Sequence, residues 1–175
     1  ATNASTGTNA GTNACTGTGT DSKEVTGWVK RRVLELGADE VGVAKLDPRY
    51  VYSHVGRGPE PWGQPIEPTH PFAIVFTLEM RVEAVAAAPR LPITKETSRN
   101  YLRAADISIR VAGEIRERGY EARAHIAGSN YQVMAPPLAH AAGLGELGRL
   151  GYVISPRFGP RIRLGVVTTT LPLVS

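Results

Sequence analysis

The chain has 175 residues, of which 42% are hydrophobic and 21% charged, with a formal net charge of +4. That length suits one self-sufficient domain, and no apolar run approaches the roughly 20 residues that cross a bilayer. Arginines are scattered among acids and only 6% of residues are aromatic, which argues against a base-stacking nucleic-acid surface.

Residues 1–20 are small, uncharged and low in complexity. They cannot bury apolar surface and read as a disordered tail, with 21–175 as the folded domain. They lack the charged start and apolar centre of a secretory signal and carry no twin-arginine motif. The single cysteine, Cys15, lies in this tail. It excludes an internal disulfide, and it excludes an iron–sulfur cluster held by this chain alone, since that needs about four thiolates.

A helix is predicted from near Ser22, where Val25, Trp28, Val29, Val33 and Leu36 recur at three- and four-residue steps; Gly37 stops it. Val41 to Ala44 reads as a short strand. Residues 47–71 form a long proline- and glycine-rich loop carrying Tyr50, Tyr52, His54 and Trp62. A loop of that length is more often functional than idle; its aromatic residues either pin it to the core or line a site. Phe72 to Leu78, bulky throughout, is the best candidate for a central buried strand.

A long helix follows, with Thr97 or Ser98 as expected N-cap. Tyr101, Ala104, Ala105, Ser108, Val111, Ala112 and Ile115 make its inward stripe, and Gly119 ends it. Residues 120–126 alternate like a strand, and Pro136-Pro137 opens a short helix reaching Ala142. Two last strands, Gly151–Ile154 and Ile162–Thr169, are expected on either side of a Ser-Pro-Arg-Phe-Gly-Pro turn. The whole predicts an α+β fold: four to five strands in a mainly antiparallel sheet flanked by helices. No Rossmann or Walker glycine pattern appears.

The last third concentrates glycine, proline and arginine: Gly143-Leu-Gly-Glu-Leu-Gly-Arg149, then Pro156-Arg-Phe-Gly-Pro-Arg-Ile-Arg163. Glycine lets backbone approach closely and arginine offers planar donors. Two readings stand, a cradle for a large ligand or a tight hairpin. His54, His70, His125 and His140 show no metal-ligand spacing, and no Gly-x-Ser-x-Gly elbow supports nucleophilic hydrolysis.

The spelling of 142–149, of Gly151 to Leu164 and of Val166 to Leu173 resembles the corrinoid-binding domain of reductive dehalogenases. More distantly it is similar to epoxyqueuosine reductase. Leu36-Gly-Ala-Asp-Glu-Val-Gly-Val-Ala44, Asp47-Pro-Arg-Tyr-Val-Tyr-Ser-His54 and Phe72-Ala-Ile-Val-Phe-Thr-Leu-Glu-Met80 extend the likeness over residues 24–173. The resemblance implies a nitroreductase-like core that binds cobalamin without a protein histidine below the cobalt. It implies cobalt-mediated cleavage of a carbon–halogen bond in a small organohalide, and organohalide respiration as the setting. Full-length members carry two iron–sulfur clusters in a ferredoxin-like module after the Leu-Pro-Leu motif, so this chain reads as a fragment that receives electrons from that module. An exported protein with a membrane-anchor subunit belongs to the same expectation, and no nucleic-acid partner does.

By the same resemblance Tyr101 matches the proton-donating tyrosine, Arg163 its basic partner and Asn130 a polar pocket residue. A guanidinium beside a phenol favours the phenolate and eases proton transfer. Against these roles stand a core aromatic, a sheet-edge arginine with Arg161 as competitor, and a turn-forming asparagine. The residues expected to face the cofactor are Gly143, Gly145, Glu146, Arg149, Gly151, Pro156, Phe158, Gly159 and Arg161. Glu146 and Arg149 are also spaced to form a structural ion pair, and Met134 with its neighbouring prolines suits an apolar floor. The family usually places an aspartate where Thr170 stands. The alternatives are a cobalamin-binding or cobalamin-processing module without dehalogenation, and an epoxyqueuosine-reductase-like enzyme.

Overall fold

A computed structural model describes residues 19–56, 58, 61–127 and 131–175. The expected tail, apart from its last two residues, and Asn130 lie outside the described residues.

The elements run α1 (Gly19–Glu35), β1 (Glu40–Lys45), β2 (Phe72–Glu79), α2 (Val82–Ala86), α3 (Leu91–Glu117), β3 (Ala122–His125), α4 (Ala135–Ala141), β4 (Glu146–Leu147), β5 (Val153–Ile154) and β6 (Ile162–Thr169). The main sheet has the order β1-β2-β6-β3, every pair antiparallel. This is the α+β architecture the sequence predicts. Phe72 to Leu78 lies in β2, an inner strand buried on both faces.

Alternation along β2 sorts its side chains between two layers. Ile74, Phe76 and Leu78 pack with Val29, Val33, Ile107, Val111 and Ile115 under α1 and α3. Ala73 and Val75 join Leu138, Ala139, Phe158 and Val166 under α4. Phe76 lies over β6 at Gly165, where any Cβ would enter its ring. Burying a phenylalanine this fully contributes about 2–3 kcal/mol.

Two expectations are corrected. The long helix starts at Leu91, two turns before Thr97, with Arg90 at the N-cap and a proline in its first turn. The reason is a polar interior. Glu96 is 2% exposed and Asn100 is fully buried. The Arg81 backbone N–H and Nε donate to the Glu96 carboxylate at 3.1 and 2.9 Å. Apolar periodicity therefore fails at the helix start although the helix packs there, and α2 in front of it went unpredicted. Burial opposes ionisation of Glu96, but the Arg81 hydrogen bonds and charge, with Arg99, outweigh it and hold the carboxyl below its ordinary range.

The second correction concerns the chain's end. β5 does not pair with β6; it pairs with β4, Glu146 opposite Ile154, while β6 joins the main sheet. At Gly145 (φ 154°) a side chain would meet the Ile154 carbonyl, so the glycine here serves the β4–β5 ribbon. The turn after β5 is fastened by Ser155, whose Oγ accepts from the Arg157 and Phe158 N–H groups at 3.1 and 3.2 Å. The same hydroxyl donates to Glu40 on β1 at 3.0 Å.

The 47–71 loop contains one helical turn, Pro48–Tyr50, capped by Asp47. It is knitted to residues 132–134: Tyr52 N–H donates to the Gln132 carbonyl at 2.9 Å and Met134 N–H to the Tyr50 carbonyl at 2.8 Å. Tyr50 packs against the α4 layer, whereas Trp62 is exposed.

Candidate active site

β3 pairs only with the Val166–Thr169 half of β6. Among the described residues, no strand covers the other half, Ile162–Gly165, on that side. At this open edge lies a cleft of about 230 Å³, walled by Tyr101 from α3, Tyr131 after β3, Pro136 from α4, Tyr152 beside β5, and Ile162 and Arg163 from β6.

Tyr101 and Arg163, named from sequence as donor and basic partner, are brought together here. The Arg163 guanidinium carbon stands 5.0 Å from the Tyr101 ring centroid, a cation–π distance. One guanidinium nitrogen donates to Thr97 Oγ1 at 3.3 Å, one helical turn before Tyr101. Among the described residues the buried Arg163 Nε has no hydrogen-bond partner, and a buried donor left so is costly unless something else fills it. Tyr101 itself is 40% exposed, so it sits on the rim of α3's inward stripe with its ring turned to the cleft. Arg161, the competing candidate, is committed elsewhere: it donates to Glu79 Oε1 at 2.8 Å and to the Met80 carbonyl at 2.7 Å.

The residues expected to face a cofactor fall into two groups. Gly145, Glu146, Arg149 and Gly151 belong to the β4–β5 ribbon, with Gly143 just before it closing α4 at φ 75°. Glu146 does not pair with Arg149; it faces His140, Oε2 to Nδ1 3.4 Å. Pro156, Phe158 and Gly159 form the turn after β5, and Phe158 is buried in the α4 layer. The ribbon also exposes Leu147, Leu150, Tyr152 and Ile154, the second and third at 83% and 63%. Tyr152 of this ribbon also lines the cleft. Tyr131 and Tyr152 were given no role from sequence, and Thr97 was read only as a helix cap. Gly151 just before Tyr152 was the one local signal available for that tyrosine.

On the sheet's other face lies a polar chain that sequence reasoning missed. His125 on β3 is 4% exposed. Its Nδ1 accepts the Gln132 N–H at 3.3 Å, which places its own proton on Nε2, 2.9 Å from Thr168 Oγ1. The Thr168 hydroxyl then donates to His70 Nδ1 at 2.8 Å, and His70 Nε2 faces Glu121 at 3.7 Å. Burial first, then the neighbouring Arg123 and His70, push His125 down to about 3. Burial also lowers His70, with Glu121 opposing and Arg123 assisting. Thr170, where an aspartate was expected, accepts the Glu121 N–H at 2.9 Å.

No family model matches the chain. Tetrachloroethene reductive dehalogenase of Dehalobacter restrictus is 32% identical over an alignment of 187 residues, covering 86% of this chain and 33% of that protein. A solved reductive dehalogenase, described for B12-dependent dehalogenation, superposes with a TM-score of 0.82 at 30% identity, over 92% of this chain and 23% of its own. Epoxyqueuosine reductase with a tRNA stem loop gives a TM-score of 0.57 at 11% identity, covering 86% of this chain and 46% of that one; that likeness is one of fold alone. The chain spans about a third of the length of the curated relatives it matches.

Proposed function

From a chain that matches reductive dehalogenases in sequence and in fold, we propose that residues 21–175 form the corrinoid-binding, substrate-facing part of such an enzyme. The observation that carries the reading is the pairing of Tyr101 with Arg163 at the open edge of β6.

The residues present suit a corrinoid. A cleft of about 230 Å³ lies below the size of most drug-sized ligand sites, so it suits the small organohalide, and the residues of the adjoining ribbon would hold the corrinoid. Leu150 and Tyr152 offer that ring an apolar face, and the ribbon's backbone offers partners for its amide side chains. When bound, the corrinoid supplies the electrons that cleave the carbon–halogen bond.

The chain's own residues do the rest. The tyrosine, leucine, isoleucine and proline walls exclude water and hold the organohalide. Tyr101 Oη–H donates the proton that the carbon takes up. Arg163, steadied by Thr97, stabilises the phenolate left behind, which water later reprotonates. The sum is R–X plus two electrons and a proton giving R–H and halide. Electrons reach the site from an iron–sulfur donor outside this chain, since Cys15 alone ligates no cluster.

Titration with cob(II)alamin followed by absorbance tests binding, and halide release from a chlorinated ethene or phenol under titanium(III) tests chemistry. Tyr101→Phe is expected to lower halide release about 100-fold or more while leaving the corrinoid spectrum unchanged. Equal release by wild type and variant removes Tyr101 as donor.

A further inference from the structure

The ring of Tyr131 forms a wall of two cavities at once. One is the Tyr101–Arg163 cleft; the other, also about 230 Å³, is lined by Tyr52, His54 and Gly56 from the 47–71 loop. The ring is held at two points, and the backbone beside it at a third. Its hydroxyl accepts the Ala135 N–H at 2.9 Å, at the start of α4. The ring packs against Tyr52 at a centroid distance of 6.2 Å. The next backbone N–H, at Gln132, is tied to His125 Nδ1 at 3.3 Å. A half-buried aromatic ring anchored in this way is a partition, not a mobile flap.

We infer that Tyr131 sets the size limit for substrate: the cleft takes one-ring or two-carbon organohalides because this ring closes it from the loop-side cavity. The inference rests on the dehalogenase reading for the word substrate, but the partition is a property of the chain itself. Removing the ring joins two cavities of equal volume and roughly doubles the length a ligand can occupy. The hydroxyl is not what excludes the larger ligand; the ring is.

The test separates the two readings by using probes that carry no halogen. Binding of phenol and of 4-hydroxybiphenyl to the chain is measured by equilibrium dialysis for wild type, Tyr131→Ala, Tyr131→Leu and Tyr131→Phe. The ratio of the two affinities should shift toward the biphenyl by about tenfold or more in the alanine and leucine variants. The phenylalanine variant, which keeps the ring and loses the hydroxyl that accepts from Ala135, should retain the wild-type ratio. The leucine variant serves if the alanine variant does not fold. An unchanged ratio in the leucine variant, an equal shift in Tyr131→Phe, or no binding of either probe to the wild type overturns the proposal. Halide release from 4-bromophenol and 4-bromo-4′-hydroxybiphenyl is then read with cobalamin and titanium(III). Absence of release from every variant, with the affinity shift present, refutes the dehalogenase reading and leaves the partition standing.

Discussion

Acid should destabilise this domain earlier than its carboxylates alone would dictate, and His125 is the reason. In the unfolded chain the imidazole titrates near 6.5, whereas in the folded domain it is held down to about 3. The neutral form is thus the one folding favours. Its contribution is complete above pH 6.5 and is lost as pH falls from there toward 3. Between pH 6.5 and 5 the unfolded chain gains a proton that the folded chain refuses, at about 1.4 kcal/mol per pH unit, or roughly 2 kcal/mol in all. His70, also lowered, adds in the same direction. Asp47 and Glu96, whose folded carboxyls are held below the ordinary range, act only at lower pH. Urea unfolding at pH 7 and pH 5 should therefore show His125→Gln losing about 2 kcal/mol less than wild type. Equal losses in the two proteins would refute the assignment, as would an imidazole resonance for His125 that titrates near pH 6.

Two substitutions probe packing. Arg81→Ala removes the guanidinium that pairs with the Glu96 carboxylate, 2% exposed, and leaves it the residue-81 backbone N–H, the Asn100 amide and the distal Arg99. It should cost about 3 kcal/mol in guanidinium denaturation, and Arg81→Lys should recover part of that. Gly165→Ala drives a methyl into the Phe76 ring and should cost about 1–3 kcal/mol; adding Phe76→Leu should make the double variant more stable than the two single losses predict, read as a coupling in a mutant cycle.

What the sequence revealed and what it hid have physical causes. β2 was legible because six consecutive residues buried on both faces, Ala73 to Leu78, leave an apolar run that only Thr77 interrupts. The stops at Gly37 and Gly119 were legible because each takes a positive φ, 101° and 84°, that few other residues tolerate. The start of α3 was hidden because Glu96 and Asn100 face inward, so the inward stripe is polar where the helix begins. The partner of β5 was hidden because strand pairing is a non-local choice; Val153 and Ile154 pair with Glu146 and Leu147 rather than with the longer strand that follows. Tyr101 and Arg163 were reached through motif likeness, since nothing in either local sequence marks the other as its neighbour. Tyr131 was passed over because its importance depends on two cavities that only the folded chain creates.

The early end of β3 has a cost as well as a use. Among the described residues, no strand lies beside Ile162–Gly165 on that side, and strand edges of this kind invite pairing with another chain. This protein lines its bare edge with bulky tyrosines and prolines, which leave little room for a second strand yet enough for a small flat molecule. Truncating one strand of a sheet thus serves as a way of making a cleft, and the bulky rim that shapes the cleft doubles as a guard against adhesion.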